Sequence, residues 1–176
     1  NQPYVKDGVV GIHNGIIVND DEIWKNNPDL KRTSEVDTES MLALMARSVA
    51  QGMTPAQGLK NVFETVYGTI STGQFFAMLP AFLLSTNNGS IYFVNNPQLG
   101  IFMFGSEGYI IDTLKEKTQF KHLFDGCTTR HLKPLVPSAG DHHGLYTRCF
   151  GSRVIRLVLF HAHRLKQSVR SSTGIA

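Results

Sequence analysis

The spacing of apolar and polar positions predicts a strand region, then helices, then several short strands. The first apolar stretches, Val9–Ile12 and Ile16–Val18, are nearly continuous and rich in β-branched residues, which is typical of one or two strands buried on both faces. Asn19 and the three acidic residues after it predict a short helix, because carboxylates favour the positive end of a helix. Residues 38 to about 51 have apolar positions at helical spacing and predict the best-defined helix, with Asp37 as its N-cap.

A further helix is predicted directly after this one. Thr54 is its N-cap, Pro55 is its first residue, and Gln57 completes a capping box. The helix closes at Tyr67-Gly68. Because the link between the two helices is short, they should pack antiparallel.

Short apolar runs separated by turn residues predict strands in the next part of the chain. These runs are Phe75–Leu79, Ala81–Ser85, Ser90–Val94, Ile101–Phe104 and Tyr109–Asp112. The segment 87–89, Asn-Asn-Gly, predicts a hairpin turn, whereas Pro80 interrupts the first pair of runs. Helices followed by hairpin strands favour an α+β fold in which helices are layered on an antiparallel-rich sheet.

The triplet His13-Asn14-Gly15 between the first two apolar stretches has two interpretations. Asn-Gly between β-branched runs is a common hairpin signal, because both residues tolerate a positive φ, and the triplet is then a structural turn. The other interpretation is chemical and depends on the polar segment Ser34–Glu39 further along the chain. If the protein is an enzyme, we expect these two places to meet in space.

Length and composition favour one globular domain. A chain of 176 residues, 41% hydrophobic and 18% charged, can bury about two thirds of its unfolded surface. No apolar run approaches the ~20 residues that span a bilayer, and the first three residues do not resemble a signal peptide. Two cysteines, Cys127 and Cys149, do not make a disulfide framework. We expect a cytoplasmic protein with no membrane segment.

Charge is distributed unevenly along the chain. Residues 1–124 hold nine Lys and Arg against twelve Asp and Glu, whereas residues 125–176 hold eight against two. This asymmetry predicts a regular domain over 1–124 and an irregular basic tail over 125–176, with a strand at Val154–Phe160 and disorder at its end. The tail does not favour nucleic-acid binding, because its basic residues are scattered and are not interleaved with an aromatic platform.

The tail holds both cysteines and five of the seven histidines. Cys127 stands four residues before His131, and Cys149 follows a histidine pair, but neither lies in a strand–turn context that would activate a thiol. The His clusters at 141–143 and 161–163 match no standard zinc spacing. We therefore predict no catalytic cysteine, metal site or cofactor here.

Two motifs taken together resemble the glutaminase domain of class-II glutamine amidotransferases. Val10–Ile17 reads Val-Gly-Ile-His-Asn-Gly-Ile-Ile, and Ser34–Glu39 reads Ser-Glu-Val-Asp-Thr-Glu. Residues 67–68 and 105–107 are also similar to later parts of that family. The resemblance covers roughly residues 1–115.

The resemblance implies an αββα sandwich of the N-terminal-nucleophile hydrolase type and hydrolysis of the side-chain amide of L-glutamine. In that family, a cysteine at the mature N-terminus attacks the amide carbon, and its own α-amino group acts as the base. The ammonia then passes to a partner synthase or aminotransferase domain. No such domain is encoded in this chain.

The resemblance also implies roles for three residues of this chain. Asn14 would give its side-chain amide, and Gly15 its backbone N–H, to the oxyanion that develops during catalysis. Asp37 would bind the substrate by accepting a hydrogen bond from the α-ammonium group of glutamine. An ordinary N-cap is the other interpretation of Asp37, and the two roles are compatible.

The cysteine nucleophile of the family has no counterpart before the triplet. In the family it lies several dozen residues upstream, and only twelve residues precede His13 here. We therefore expect a domain that is incomplete at its N-terminus and inactive as a glutaminase on its own. The alternative is a non-catalytic relative of the fold that acts as a ligand-binding or interaction module.

Overall fold

The structure, a computed structural model, describes residues 2–117, 119–132, 134 and 156–157. The chain separates into two compact units, each treated by itself below. Within the described residues, the first unit holds 2–90, 132 and 134, and the second holds 91–131 without 118, together with 156–157. The predicted boundary after residue 124 stays a prediction.

The described residues of the first unit form one antiparallel sheet and three helices. Its elements are β1 (Tyr4–Lys6), β2 (Val9–Ile17), α1 (Asp20–Asn26), α2 (Thr38–Ala50), α3 (Pro55–Thr65), β3 (Gly68–Phe76) and β4 (Leu79–Thr86). The strands lie in the order β1-β2-β3-β4. All three strand pairs are antiparallel.

The predicted hairpin at residues 13–15 is wrong, because the triplet lies inside one continuous strand. β2 pairs with β3 over its whole length, from Val9 opposite Phe76 to Ile17 opposite Gly68. Of the two predicted possibilities, one strand or two, the structure has one strand of nine residues. The long-range pairing with β3 overrides the local turn preference of Asn-Gly.

The predicted helices are present, and two of them pack on one another. The capping box of α3 is confirmed: Thr54 Oγ1 accepts the N–H of Gln57, and the Gln57 side chain accepts the N–H of Thr54. A Cβ on Gly58 would lie 2.9 Å from Met45 Sδ and 3.0 Å from Ser48 Cβ. This glycine therefore lets the start of α3 approach the end of α2 closely.

The first unit has its own apolar core. α2 is buried along most of its length, and its apolar residues pack with those of α3 and the sheet. A Cβ on Gly11 would lie 2.6 Å from Leu42 Cδ2, so β2 passes close to α2 at this point. Pro80 lies in β4, an edge strand, where a missing backbone N–H is tolerated.

The second unit, as far as its residues are described, contains a second sheet and one α-helix. Its elements are β5 (Tyr92–Asn96), β6 (Ile101–Gly105), α4 (Gly108–Lys117), a 3-10 turn (Lys121–Leu123), β7 (Arg130–His131) and β8 (Arg156–Leu157). The strands lie in the order β7-β5-β6-β8. β5 pairs antiparallel with β6 and β7, whereas β6 and β8 are parallel.

Three predictions about the later strands need correction or restriction. The strand predicted at Tyr109–Asp112 is wrong, because these residues belong to α4, which buries Ile111 and Leu114 on one helical face. The turn at residues 87–89 joins β4 to β5, which lie in different sheets, so it does not close a hairpin. Of the strand predicted at Val154–Phe160, only β8 falls within the described residues.

The fold class is therefore mixed α and β, with mainly antiparallel sheets. This agrees with the predicted α+β class. Among the described residues, no helix combines the length and the apolar character that a membrane span requires. The predicted disorder at the end of the tail lies outside the described residues.

Candidate functional site

The candidate site lies at the outer edge of β2, where its neighbour β1 ends. The pairing of β1 with β2 stops at Tyr4 opposite Gly11. In an antiparallel strand, alternate residues direct their N–H and C=O groups to the same side. The N–H groups of His13, Gly15 and Ile17 therefore face this edge, beyond the last residue of β1 that pairs with β2.

Two of these three N–H groups are taken by side chains. The N–H of His13 donates to Gln2 Oε1 at 2.9 Å, and the Gln2 amide donates in return to the carbonyl of His13. Four residues further along β2, on the same edge, the N–H of Ile17 donates to Asp37 Oδ2 at 2.9 Å. A carboxamide and a carboxylate thus take the places that a neighbouring strand would fill.

The N–H of Gly15 lies between these two and has no hydrogen-bond partner in the described part of the chain. Its opposite residue on β3, Ile70, directs both backbone groups to Asn87 instead. Gly15 and Ile70 therefore form a pair without mutual hydrogen bonds, and the Gly15 donor points away from β3. This leaves an open backbone donor at an exposed position.

Gly15 is also required by packing. Its φ is +153°, and a Cβ at this position would lie only 1.8 Å from the carbonyl oxygen of Thr69 and 2.8 Å from His13 Nε2. No side chain fits such a contact with backbone. The glycine is thus obligatory for the approach of β2 to β3, whatever its chemical role.

Asn14 adds a second open donor. Its side chain is exposed, and within the described residues its carboxamide has no hydrogen-bond partner. Side chains alternate along a strand, so Asn14 lies on the opposite face of the sheet from His13. The predicted pair Asn14 and Gly15 therefore offers one side-chain donor and one backbone donor at adjacent positions.

Asp37 stands at the N-cap position of α2, but the predicted cap hydrogen bond is absent. Its φ and ψ are −57° and −30°, which are helical, and its side chain makes no cap bond. The carboxylate instead accepts the N–H of Ile17, and its Oδ1 lies 3.9 Å from His13 Nδ1. The side chain is 33% exposed, so the carboxylate remains accessible at the site.

His13 is a site residue that the sequence interpretation did not assign. Its ring is buried and connects two elements: Nε2 lies 3.1 Å from the carbonyl oxygen of Thr69, and Nδ1 lies 3.4 Å from Thr38 Oγ1. A carbonyl only accepts, so Nε2 carries the proton in this contact, and Nδ1 is free to accept from Thr38. The imidazole thereby ties β3 to the start of α2.

Glu39 anchors the loop that leads to Asp37. Its carboxylate is fully buried and accepts hydrogen bonds from Lys6 Nζ and from both the backbone N–H and the hydroxyl of Thr33 and of Ser34. Burial alone would raise the pKa of Glu39, but the hydrogen bonds from Lys6, Thr33 and Ser34 outweigh it and lower the pKa to about 2. The motif Ser34–Glu39 is therefore held rigidly beside β1.

The same loop is attached to α1 by Arg32. Its guanidinium contacts three carboxylates, those of Asp20, Asp21 and Glu35, at 2.7 to 3.2 Å. Its Nε donates to the carbonyl of Ser34 at 2.9 Å. Together with Glu39, these contacts bring the second sequence motif to the edge of β2 at which Gly15 lies.

The other candidates from the sequence contribute no site within the described residues. Cys127 is partly buried, its thiol donates to the carbonyl of Asp125 at 3.8 Å, and it packs against the apolar core of the second unit. The ring of His131 stacks on Tyr92 with centroids 4.5 Å apart. In the described ranges, no group of three His, Cys, Asp or Glu side chains could hold a metal ion. Cys149 and the His clusters at 141–143 and 161–163 lie outside them.

Comparisons with known proteins support the fold. No family model and no curated protein matches the chain. Among solved structures, it is similar to the glutamine phosphoribosylpyrophosphate amidotransferase from B. subtilis complexed with ADP and GMP, with 18% identity and a TM-score of 0.55 over 88% of this chain. The allosteric regulatory enzyme of purine biosynthesis is similar, with 18% identity and a TM-score of 0.54 over 76% of this chain.

The chain shares the fold of a part of each of these two structures. This confirms the resemblance at the level of fold. The chain spans 33% of the length of the B. subtilis enzyme and 27% of the length of the purine biosynthesis enzyme, so it corresponds to a part of each of them.

Proposed function

We propose that this chain forms the glutamine-binding and oxyanion-stabilising part of a glutamine amidotransferase site. In this proposal Gly15 gives its backbone N–H, and Asn14 its side-chain amide, to the oxygen of the glutamine side chain. Asp37 accepts a hydrogen bond from the α-ammonium group of the same ligand. The observation that carries the proposal is the open N–H of Gly15, which lies between two N–H groups of the same edge that are already bonded.

The geometry suits an amino acid that carries a carboxamide. The two open donors at residues 14 and 15 match a carbonyl oxygen, which only accepts. Asp37 uses Oδ2 for Ile17, whereas its Oδ1 accepts, among the described residues, only the Thr38 hydroxyl, at 3.5 Å, and has a further lone pair for an ammonium group. An amide without an α-ammonium group would lose this charge-assisted contact, which explains a preference for glutamine over a simple amide.

Asn14, Gly15 and Asp37 include no candidate for the nucleophile that attacks the amide. Hydrolysis of an amide through a covalent intermediate needs an activated nucleophile beside the oxyanion donors. Both cysteines of the chain lie after residue 115, beyond the region of resemblance. We therefore expect this chain to bind glutamine without hydrolysing it. The αββα layering and a partner domain that receives ammonia remain predictions from the resemblance, and the cytoplasmic setting remains a prediction from composition.

Calorimetric titration of the purified chain with L-glutamine tests this proposal. We expect saturable binding that Asp37→Asn weakens about 10-fold to 100-fold, because it removes a charged hydrogen bond. Asp125→Asn is the matched control, since Asp125 is exposed and its side chain has no hydrogen-bond partner in the described part of the chain. Absence of glutamine binding, or equal binding by Asp37→Asn, would refute the proposal.

A glutaminase assay on the same sample tests the expected inactivity. Release of ammonia from glutamine by this chain would contradict that expectation. Saturable binding without turnover is the outcome expected both for a partial amidotransferase site and for a ligand-binding relative of the fold. Both the titration and the glutaminase assay use the chain by itself, without an added peptide that supplies a cysteine.

A further inference from the structure

Asn14 belongs to a polar row that crosses three strands of the first sheet. Asn14 is opposite Ser71 on β3, and Ser71 is opposite Thr86 on β4. The two preceding rows on this face are apolar apart from one glycine: Val10, Phe75 and Phe82 form the first, and Ile12, Gly73 and Leu84 form the second. The face of the sheet thus changes from apolar to polar at the row that contains a candidate site residue.

The hydroxyl of Ser71 is buried and belongs to a small hydrogen-bond cluster. Its Oγ lies 2.7 Å from Thr86 Oγ1 and donates to Asn88 Oδ1 at 2.8 Å. Thr86 Oγ1 is also 2.8 Å from Asn88 Oδ1. Thr86 and Asn88 have an evident structural role, because they accept the N–H groups of Gly89 and Ser90 where the chain leaves β4.

Ser71 is the member of this cluster that lies on β3, directly beside Asn14. The oxygen of Asn88 only accepts, so the single proton of Ser71 is used within the cluster. Towards Asn14, Ser71 can then offer only lone pairs. Opposite side chains on one face of an antiparallel pair have Cβ atoms about 5 Å apart, which is within reach of a hydrogen bond from a carboxamide.

We propose that Ser71 is a positioning residue that sets which way the carboxamide of Asn14 faces. An acceptor beside Asn14 favours the orientation in which its NH₂ group, and not its oxygen, is turned towards Ser71. Among the described residues the Asn14 carboxamide makes no hydrogen bond, so the contact with Ser71 forms when glutamine binds. One proton of the NH₂ group is then held by Ser71, and the other is given to the acceptor on the ligand. Without Ser71, the amide can turn by 180° and present its oxygen, which repels a carbonyl ligand. This inference rests on the proposed function and extends it.

A comparison of two ligands tests the inference. L-glutamine offers the side-chain carbonyl, whereas L-norvaline has the same α-ammonium and α-carboxylate groups but no carboxamide. We expect Ser71→Ala to weaken glutamine binding about 2-fold to 10-fold, which corresponds to one neutral hydrogen bond, and to leave norvaline binding unchanged. Ser71→Thr keeps the hydroxyl and suits a strand, so it should restore glutamine binding.

A double-mutant cycle separates positioning from general damage to the fold. If Ser71 acts through Asn14, then Ser71→Ala should have no further effect on glutamine binding in an Asn14→Ala background. Should Ser71→Ala not fold, Ser71→Cys replaces it, since sulfur accepts weakly in the same place. For either variant, unchanged glutamine binding, an equal loss for both ligands, or additive effects with Asn14→Ala would overturn the inference.

Failure of the proposed function gives a different result. In that case the unmodified chain would show no preference for glutamine over norvaline. Failure of the inference alone would leave that preference intact in the unmodified chain and also in Ser71→Ala. Asp37→Asn is expected to weaken both ligands alike, because both have the α-ammonium group.

Discussion

The carboxylate of Asp37 accepts the backbone N–H of Ile17 at 2.9 Å, although Asp37 stands at the position that would cap α2. One side chain thereby joins the start of a helix to the edge of a strand twenty residues earlier. The bond leaves the Gly15 N–H as the open donor between Ile17 and His13 along this edge. Four predictions follow from this arrangement and from the residues that hold it.

Replacement of Asp37 by alanine should lower stability more than replacement by asparagine. Alanine removes the acceptor of the Ile17 N–H, and loss of a hydrogen bond to a charged group costs about 1.5–3 kcal/mol. Asparagine keeps an oxygen for this bond, so its cost should stay below about 1 kcal/mol. Urea denaturation of both variants measures the difference. Equal stability of the two variants would argue against the Ile17 contact.

Glu39 should give the protein a pH-dependent stability at acidic pH. Its pKa is lowered from 4.5 in the unfolded chain to about 2 in the folded state, so its contribution is complete above pH 4.5 and is lost as the pH falls towards 2. The shift corresponds to about 3 kcal/mol at neutral pH. The free energy of unfolding of Glu39→Gln should therefore approach that of the unmodified chain between pH 4.5 and 2.

Glu64→Gln is the matched control for this measurement. Glu64 lies on α3 with half of its side chain exposed, in a long contact of 3.8 Å with Lys60. Exposed pairs of this kind contribute little to stability. A difference between Glu39→Gln and the unmodified chain that stays constant from pH 7 to pH 2 would contradict the role assigned to Glu39.

Gly15→Ala should disrupt the first sheet. The added Cβ would lie 1.8 Å from the carbonyl oxygen of Thr69, so the two strands must separate locally. We expect a loss of more than about 3 kcal/mol, as for other changes that break backbone packing at a special position. Gly105→Ala is the control, because its Cβ would meet Ile111 at an ordinary 3.8 Å. Comparable melting temperatures for the two variants would refute this explanation.

His13→Phe should destabilise the protein although it conserves much of the ring volume. Phenylalanine removes the ring partner of the Thr38 hydroxyl, which is buried, and of the Thr69 carbonyl, which belongs to an exposed residue. An unsatisfied buried polar group costs about 1–3 kcal/mol. His13→Gln, whose amide can still donate to Thr69, should lose less. Thermal unfolding of both variants distinguishes hydrogen bonding from packing as the role of His13.

The two sequence motifs from which the site was predicted lie close together in the structure, but the contacts that hold them there were not predicted. The motifs at 10–17 and 34–39 come together because Glu39 and Arg32 attach the second motif to β1 and α1. In the sequence, Glu39 is only the last residue of the second motif, and no pattern shows that five hydrogen bonds converge on it. Its partner Lys6 lies thirty-three residues away, so no local pattern could indicate the pair.

The amino-acid sequence by itself determined the helices α1, α2 and α3, because helical periodicity and the capping box of Thr54 are local signals. It also indicated Asn14, Gly15 and Asp37 through the resemblance. Tertiary structure decided which N–H the carboxylate of Asp37 accepts, since the donors of α2 and of Ile17 are chemically equivalent. It likewise turned the Asn-Gly of a possible hairpin into the middle of β2. Such choices depend on strand register, which pairs residues far apart in sequence and has no local signature.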